Sequence, residues 1–107
     1  MIGCGWVTGD MGPVVKNLEN IEIVAATDPL IERACRIAKE DHSYSDAEKM
    51  YNNEDIDAVY IATPHHLHYP LIKQALEHGK HVFCEKPVSN SIESTREILN
   101  LDKKYPS

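Results

Sequence analysis

Three short apolar runs constrain this chain most: residues 21–27 (IEIVAAT), 58–62 (AVYIA) and 81–84 (HVFC), each separated from the next by a segment of helical period. Strands that are apolar without alternation are covered on both faces, which points to a parallel sheet. Pro29 suits the first turn of a helix whose Ile31, Ala34, Cys35 and Ala38 fall on one stripe. A short helical piece is expected over residues 46–52. Pro70 is expected to open another helix, with Leu71, Ile72, Ala75 and Leu76 on one face and Gly79 ending it. Asn90 and Glu93 are spaced as a capping pair for a last helix that carries Ile92, Ile98 and Leu99 before Pro106. Strands alternating with helices of this length imply βαβ units.

A glycine turn stands ahead of the first long run. Gly3 and Gly5 match the first two positions of G-x-G-x-x-G, where one glycine makes the turn and the next admits a phosphate close to the backbone. The third position is Thr8, with Gly9 one place late, so the packing there must be managed differently. Asp28 ends the apolar run 23 residues after Gly5, near the ~20 residues at which an acid meets the ribose of a dinucleotide. Its carboxylate would repel a 2′-phosphate, which favours NAD over NADP. Asp28 followed by Pro29 is also a common helix start, so N-capping is the alternative role. Only Met1 and Ile2 precede the turn. The expected fold class is therefore α/β, a doubly wound, Rossmann-like parallel sheet truncated in its first strand, in one domain over residues 1–107.

The chain has 107 residues, a net charge of −6, and 42% hydrophobic residues, as in an ordinary globular domain. With no Lys/Arg block, the acidic balance argues against nucleic-acid or anionic-membrane surfaces. Cys4, Cys35 and Cys84 form an odd set without short spacing, which fits reduced, partly buried thiols. No run is long enough to span a bilayer and no secretory signal is evident, so a cytoplasmic location is the expectation.

Two further segments could carry chemistry. Thr63, Pro64, His65, His66, Leu67 and His68 follow the second run, at the strand end expected to face a cofactor. Three histidines in four residues raise the question of a metal, but a short loop seldom supplies a whole site, and no metal is expected. His68 could equally serve as a helix-entry residue before Pro70. Glu85, Lys86 and Pro87 follow the third run, and a lysine held there could bond a nicotinamide ribose and a substrate hydroxyl.

Taken together, GCG at residues 3–5, Asp28, DAVYIATP from Asp57, His68 and GKHVFCEKP from Gly79 to Pro87 resemble the N-terminal domain of the glucose–fructose oxidoreductase and inositol dehydrogenase (Gfo/Idh/MocA) family. The resemblance covers essentially the whole chain, and the last block is its most specific part. It implies an NAD(P)-dependent oxidoreductase acting on sugars, cyclitols or related polyols, with Lys86 as the catalytic residue contributed by this portion. The implied cofactor-binding residues are Gly3, Gly5, Trp6, Val7, Asp28, Thr63, Pro64, His65, His68, Glu85 and Lys86. Where this chain has His65 the family often has Asn. The family's C-terminal substrate domain, with its catalytic histidine and aspartate, has no counterpart here. A sugar or polyol partner is thus expected only where that domain is present, and the full-length form leaves room for a homo-oligomer. The alternatives are a non-catalytic NAD(H)-binding or regulatory module, or an inactive product cut short.

Overall fold

The computed structural model describes residues 1–105, and the chain divides into two compact units, Met1–Ile56 and Asp57–Ser107. Pro106, expected just past the last helix, lies outside the described residues.

The first unit runs from a parallel bridge between Ile2 and Thr27 through α1 (Trp6–Lys16), β1 (Ala26–Thr27), α2 (Ile31–Ala34), a 3-10 turn at Glu40–His42, β2 (Ser43–Tyr44) and α3 (Ala47–Asn53). β1 and β2 pair in parallel, Ala26 opposite Ser43 and Thr27 opposite Tyr44. The strand is much shorter than the apolar run 21–27. Bonds to the N-terminal residues reach only Ala25 and Thr27: Met1 N donates to Ala25 O at 2.8 Å, Thr27 N to Met1 O at 2.9 Å, and Gly3 N to Thr27 O at 2.9 Å. Ile21 and Val24 are exposed. Apolar character makes a strand only where a ladder partner exists.

α2 also differs from expectation. It is one turn long, Ala34 is buried, and Ile31 and Cys35 point to solvent. Its inward contacts come from Ile37 and Ala38, which pack against Cys4, Ala26 and Ala34. The helical piece over residues 46–52 is α3, where Asp46 accepts from Lys49 N and Met50 and Tyr51 are buried. At the far end of α3, Glu54 Oε1 accepts from Tyr44 Oη at 2.6 Å and lies 2.7 Å from His42 Nδ1. This cluster ties the 3-10 turn and β2 to the exit of α3.

The second unit is one βαβ motif followed by a helix: β3 (Ala58–Ile61), a 3-10 turn at His65–Leu67, α4 (His68–Glu77), β4 (His81–Cys84) and α5 (Ile92–Lys104). β3 and β4 are parallel and in register from Ala58 opposite His81 to Ile61 opposite Cys84. Val59 and Ile61 are buried, as are Ile72, Ala75 and Leu76 on α4, which packs on both strands and on α5. α4 opens at His68 rather than at Pro70. Proline is tolerated there because the first-turn amides have no intrahelical acceptor to lose. Gly79 ends the helix with φ +68°. Gly79 N donates to Leu76 O and Lys80 N to Ala75 O, the paired bonds of a Schellman stop.

At α5 the cap shifts by one residue. Ser91, not Asn90, receives the Ser94 amide on its hydroxyl at 3.1 Å, so the expected Asn90–Glu93 pair does not form. The helix carries the predicted apolar residues, yet Ile92 and Leu99 are 67% and 58% exposed.

Candidate functional site

The glycine turn of the first unit is built by three local constraints. Gly3 has φ +82°, a left-handed conformation that a side chain would strain. Cys4 N donates to Asp28 Oδ2 at 2.9 Å, which holds the turn against the exit of β1. Thr8, at the position of the third glycine, is fully buried and donates its hydroxyl to Gly3 O. That bond explains how the motif works without a third glycine: threonine closes the turn from the helix side. Gly9 is exposed, and an added Cβ there would meet nothing within 4 Å, so it does not replace the missing glycine.

Gly5 is the N-cap of α1 and offers no side-chain acceptor to the first-turn amides. No acidic residue stands in that turn. The result is a set of outward amides at the positive end of an 11-residue helix, which favours an anion. A Cβ on Gly5 would meet no protein atom within 4 Å, so nothing in the protein requires its bareness, whereas a phosphate approaching the backbone would. Trp6, 84% exposed, and Val7 project from the same turn.

Asp28 is 6% exposed and both its oxygens already accept: Oδ2 from Cys4 N and Oδ1 from Leu30 N, each at 2.9 Å. The helix-start role expected as the alternative does not form, because Leu30 caps α2 two residues later; Asp28 instead closes a short turn onto the Leu30 amide and bonds the glycine turn. A carboxylate has about four acceptor positions, so two bonds leave capacity for a ribose hydroxyl. Cys4 beside it is inert as a nucleophile: burial pushes its thiol up to about 11. Burial does the same to Cys84, with the Glu85 charge adding to it, to about 11.

In the second unit the residues after β3 and β4 are brought together. His68 is fully buried at the head of α4. Its Nε2 lies 2.9 Å from Thr63 O and its Nδ1 2.7 Å from Pro87 O. His68 takes the helix-entry position expected as its alternative role, and its buried ring joins two loops. Both ring nitrogens are turned to backbone carbonyls. His65 and His66 are exposed, with the His65 ring edge-on to His68 at 5.9 Å. Among the described residues no group of three His, Cys, Asp or Glu side chains could hold a metal ion. Thr63 Oγ1 is buried without a hydrogen-bond partner, the kind of orphaned group a ligand satisfies.

Beyond β4, Glu85 N extends the ladder by donating to Ile61 O at 2.9 Å. Tyr60 Oη donates to Glu85 Oε1 at 2.6 Å. That bond comes first among the causes holding the Glu85 carboxyl below its usual value, and burial, then the same bond, raises the Tyr60 phenol well above its own. Lys86 is exposed, and among the described residues its ammonium has no ion-pair partner. Tyr60 was missed in the sequence. Its signal was the parallel pairing of the two apolar runs, which puts Tyr60 opposite Phe83, two residues before Glu85.

A model of an oxidoreductase family with an NAD-binding Rossmann fold, Gfo/Idh/MocA, matches residues 1–106. The chain is 37% identical over 101 residues to the 2,7-anhydro-N-acetylneuraminate hydratase of Mediterraneibacter gnavus, covering 92% of this chain and 26% of that protein. It is 33% identical over 106 residues to the scyllo-inositol 2-dehydrogenase (NADP(+)) IolU of Bacillus subtilis, covering 96% of this chain and 32% of that one. A dehydrogenase from Chromobacterium violaceum superposes with a TM-score of 0.90 at 28% identity, over 97% of this chain and 32% of the other. The chain thus spans about a third or less of the length of these relatives. No helix among the described residues is long and apolar enough to cross a membrane.

Proposed function

Because the chain belongs to the Gfo/Idh/MocA oxidoreductase family, with its NAD-binding Rossmann fold, we propose that it is the cofactor-binding part of an enzyme that moves hydride between a nicotinamide and an alcohol carbon of a sugar, cyclitol or related polyol. One observation carries this reading: Gly5 caps α1 with no acceptor of its own and with open space where its Cβ would be. Such an end binds a pyrophosphate through backbone amides.

The residues divide the work. Gly3, Gly5, Trp6 and Val7 take the pyrophosphate and the nearby part of the dinucleotide. Asp28 takes the adenosine ribose with the acceptor capacity its two amide bonds leave. Thr63, Pro64 and His65 take the nicotinamide end, where the free Thr63 hydroxyl gains a partner. When bound, the nicotinamide supplies a hydride acceptor or donor at its C4. Lys86 orients the reacting hydroxyl by hydrogen bonding, with Glu85 fixed beside it.

Asp28 supports NAD over NADP, because a buried carboxylate repels a 2′-phosphate. IolU, a relative at 33% identity, is named for NADP(+), so the preference needs direct measurement. Calorimetric titration with NADH and NADPH tests it: NADH is expected to bind at least tenfold tighter. Equal affinity would remove the preference, and no binding of either would remove the function.

A further inference from the structure

Lys86 is exposed and has no ion-pair partner among the described residues, yet the chain on both sides of it is fastened. Before it, Glu85 N is bonded to Ile61 O at 2.9 Å, and the Glu85 carboxylate accepts from Tyr60 Oη at 2.6 Å. After it, the Pro87 carbonyl lies 2.7 Å from His68 Nδ1, while Nε2 of the same ring lies 2.9 Å from Thr63 O. We infer that Tyr60 and His68 are positioning residues for Lys86: the two side chains clamp the segment on either side of it to the end of β3, and so aim an otherwise free ammonium.

A lysine side chain has four rotatable carbons and holds no fixed direction of its own. With no partner on the ammonium, its aim is set by where the backbone puts its Cα. A misplacement of about 1 Å at a reacting group is enough to cost a large part of the rate. The clamp is also built to stay rigid. The Tyr60 ring stacks on Phe83, centroids 5.5 Å apart, which holds the hydroxyl in direction. His68 is fully buried, so water does not compete for its bonds. One ring nitrogen faces the Pro87 carbonyl and the other the Thr63 carbonyl, so a single rigid side chain reaches both loops. Both side chains act through Lys86.

This inference rests on the catalytic role proposed for Lys86, and the test separates the two. Reductive methylation of the purified protein with 13C formaldehyde gives each lysine an NMR line, and Lys86→Arg identifies the one from Lys86. Tyr60→Phe keeps the ring and its stacking while deleting one oxygen. His68→Gln keeps a donor but can serve only one carbonyl well. In the ligand-free protein, both variants are expected to move or broaden the Lys86 line and leave the other lysine lines in place. With NADH, the shift of the Lys86 line is expected to fall by at least half in each variant, while NADH affinity changes less than threefold. Where His68→Gln does not fold, Tyr60→Phe decides alone. An unchanged ligand-free Lys86 line in Tyr60→Phe overturns the positioning role. A wild-type Lys86 line that ignores saturating NADH overturns the catalytic reading instead, and leaves the ligand-free comparison intact.

Discussion

The backbone amide of Cys4 donates to the carboxylate of Asp28 at 2.9 Å across 24 residues of chain. One side chain thereby holds the glycine turn and closes a short turn onto Leu30 N, and it is the acid proposed to read the ribose. Sequence spacing, local structure and proposed function meet in that single carboxylate.

Asp28→Ala should therefore do two things at once. It strands the amides of Cys4 and Leu30, each bonded to a charged acceptor, and should cost on the order of 3 kcal/mol in a denaturant titration. It should also weaken NADH more than NADPH. Equal loss for both cofactors would leave Asp28 a purely structural residue.

Thr8→Val should destabilise the first unit by about 1–2 kcal/mol, because it leaves the Gly3 carbonyl without its donor while keeping the side-chain shape. Thermal unfolding checks it. A variant as stable as the parent would mean that threonine merely fills the third-glycine position.

Gly79→Ala should cost about 1–2 kcal/mol, since the Schellman stop needs φ +68° and a Cβ strains that conformation. No neighbour lies within 4 Å of the added carbon, so the loss would be conformational and not steric. Replacement by Asn, which tolerates the left-handed region better, should recover part of it.

Glu54 predicts an acid-sensitive contact between β2 and the exit of α3. Its carboxyl is held below the ordinary value of 4.5, first by the Tyr44 hydrogen bond and further by His42. A depressed folded value means that this contribution is fully present above about pH 4.5 and is lost as pH falls through the lowered value. Tyr44→Phe should lower stability at neutral pH by about 1 kcal/mol and flatten the acid limb of the stability curve. An acid limb identical to the parent's would assign the loss to other carboxylates.

Much of this was legible in the residue order. The runs 58–62 and 81–84 became the paired strands β3 and β4, and Gly79 became a helix stop, because each depends on local composition and a single neighbour. The long run 21–27 shrank to Ala26–Thr27 because strand length depends on a partner that local composition does not reveal. The cap of α5 moved to Ser91 because Asn90 and Ser91 are both good caps and the geometry of the preceding loop decides between them. Cys35 turned outward because α2 ends after one turn and the stripe drifts off the core. For His68 the sequence offers both a cofactor-facing and a helix-entry role, and the structure places it at the entry of α4. A histidine next to a functional loop can contact the ligand or hold the loop, and only burial separates these.

The most direct test of the cofactor claim uses the single tryptophan, Trp6, on the first turn of α1. NADH titration should quench its emission saturably below about 1 mM. Gly5→Val, whose added carbons meet no protein atom at Cβ, should keep the fold by circular dichroism and lose NADH binding at least tenfold. Quenching that is absent in the parent, or unchanged in Gly5→Val, would contradict a dinucleotide at the glycine turn.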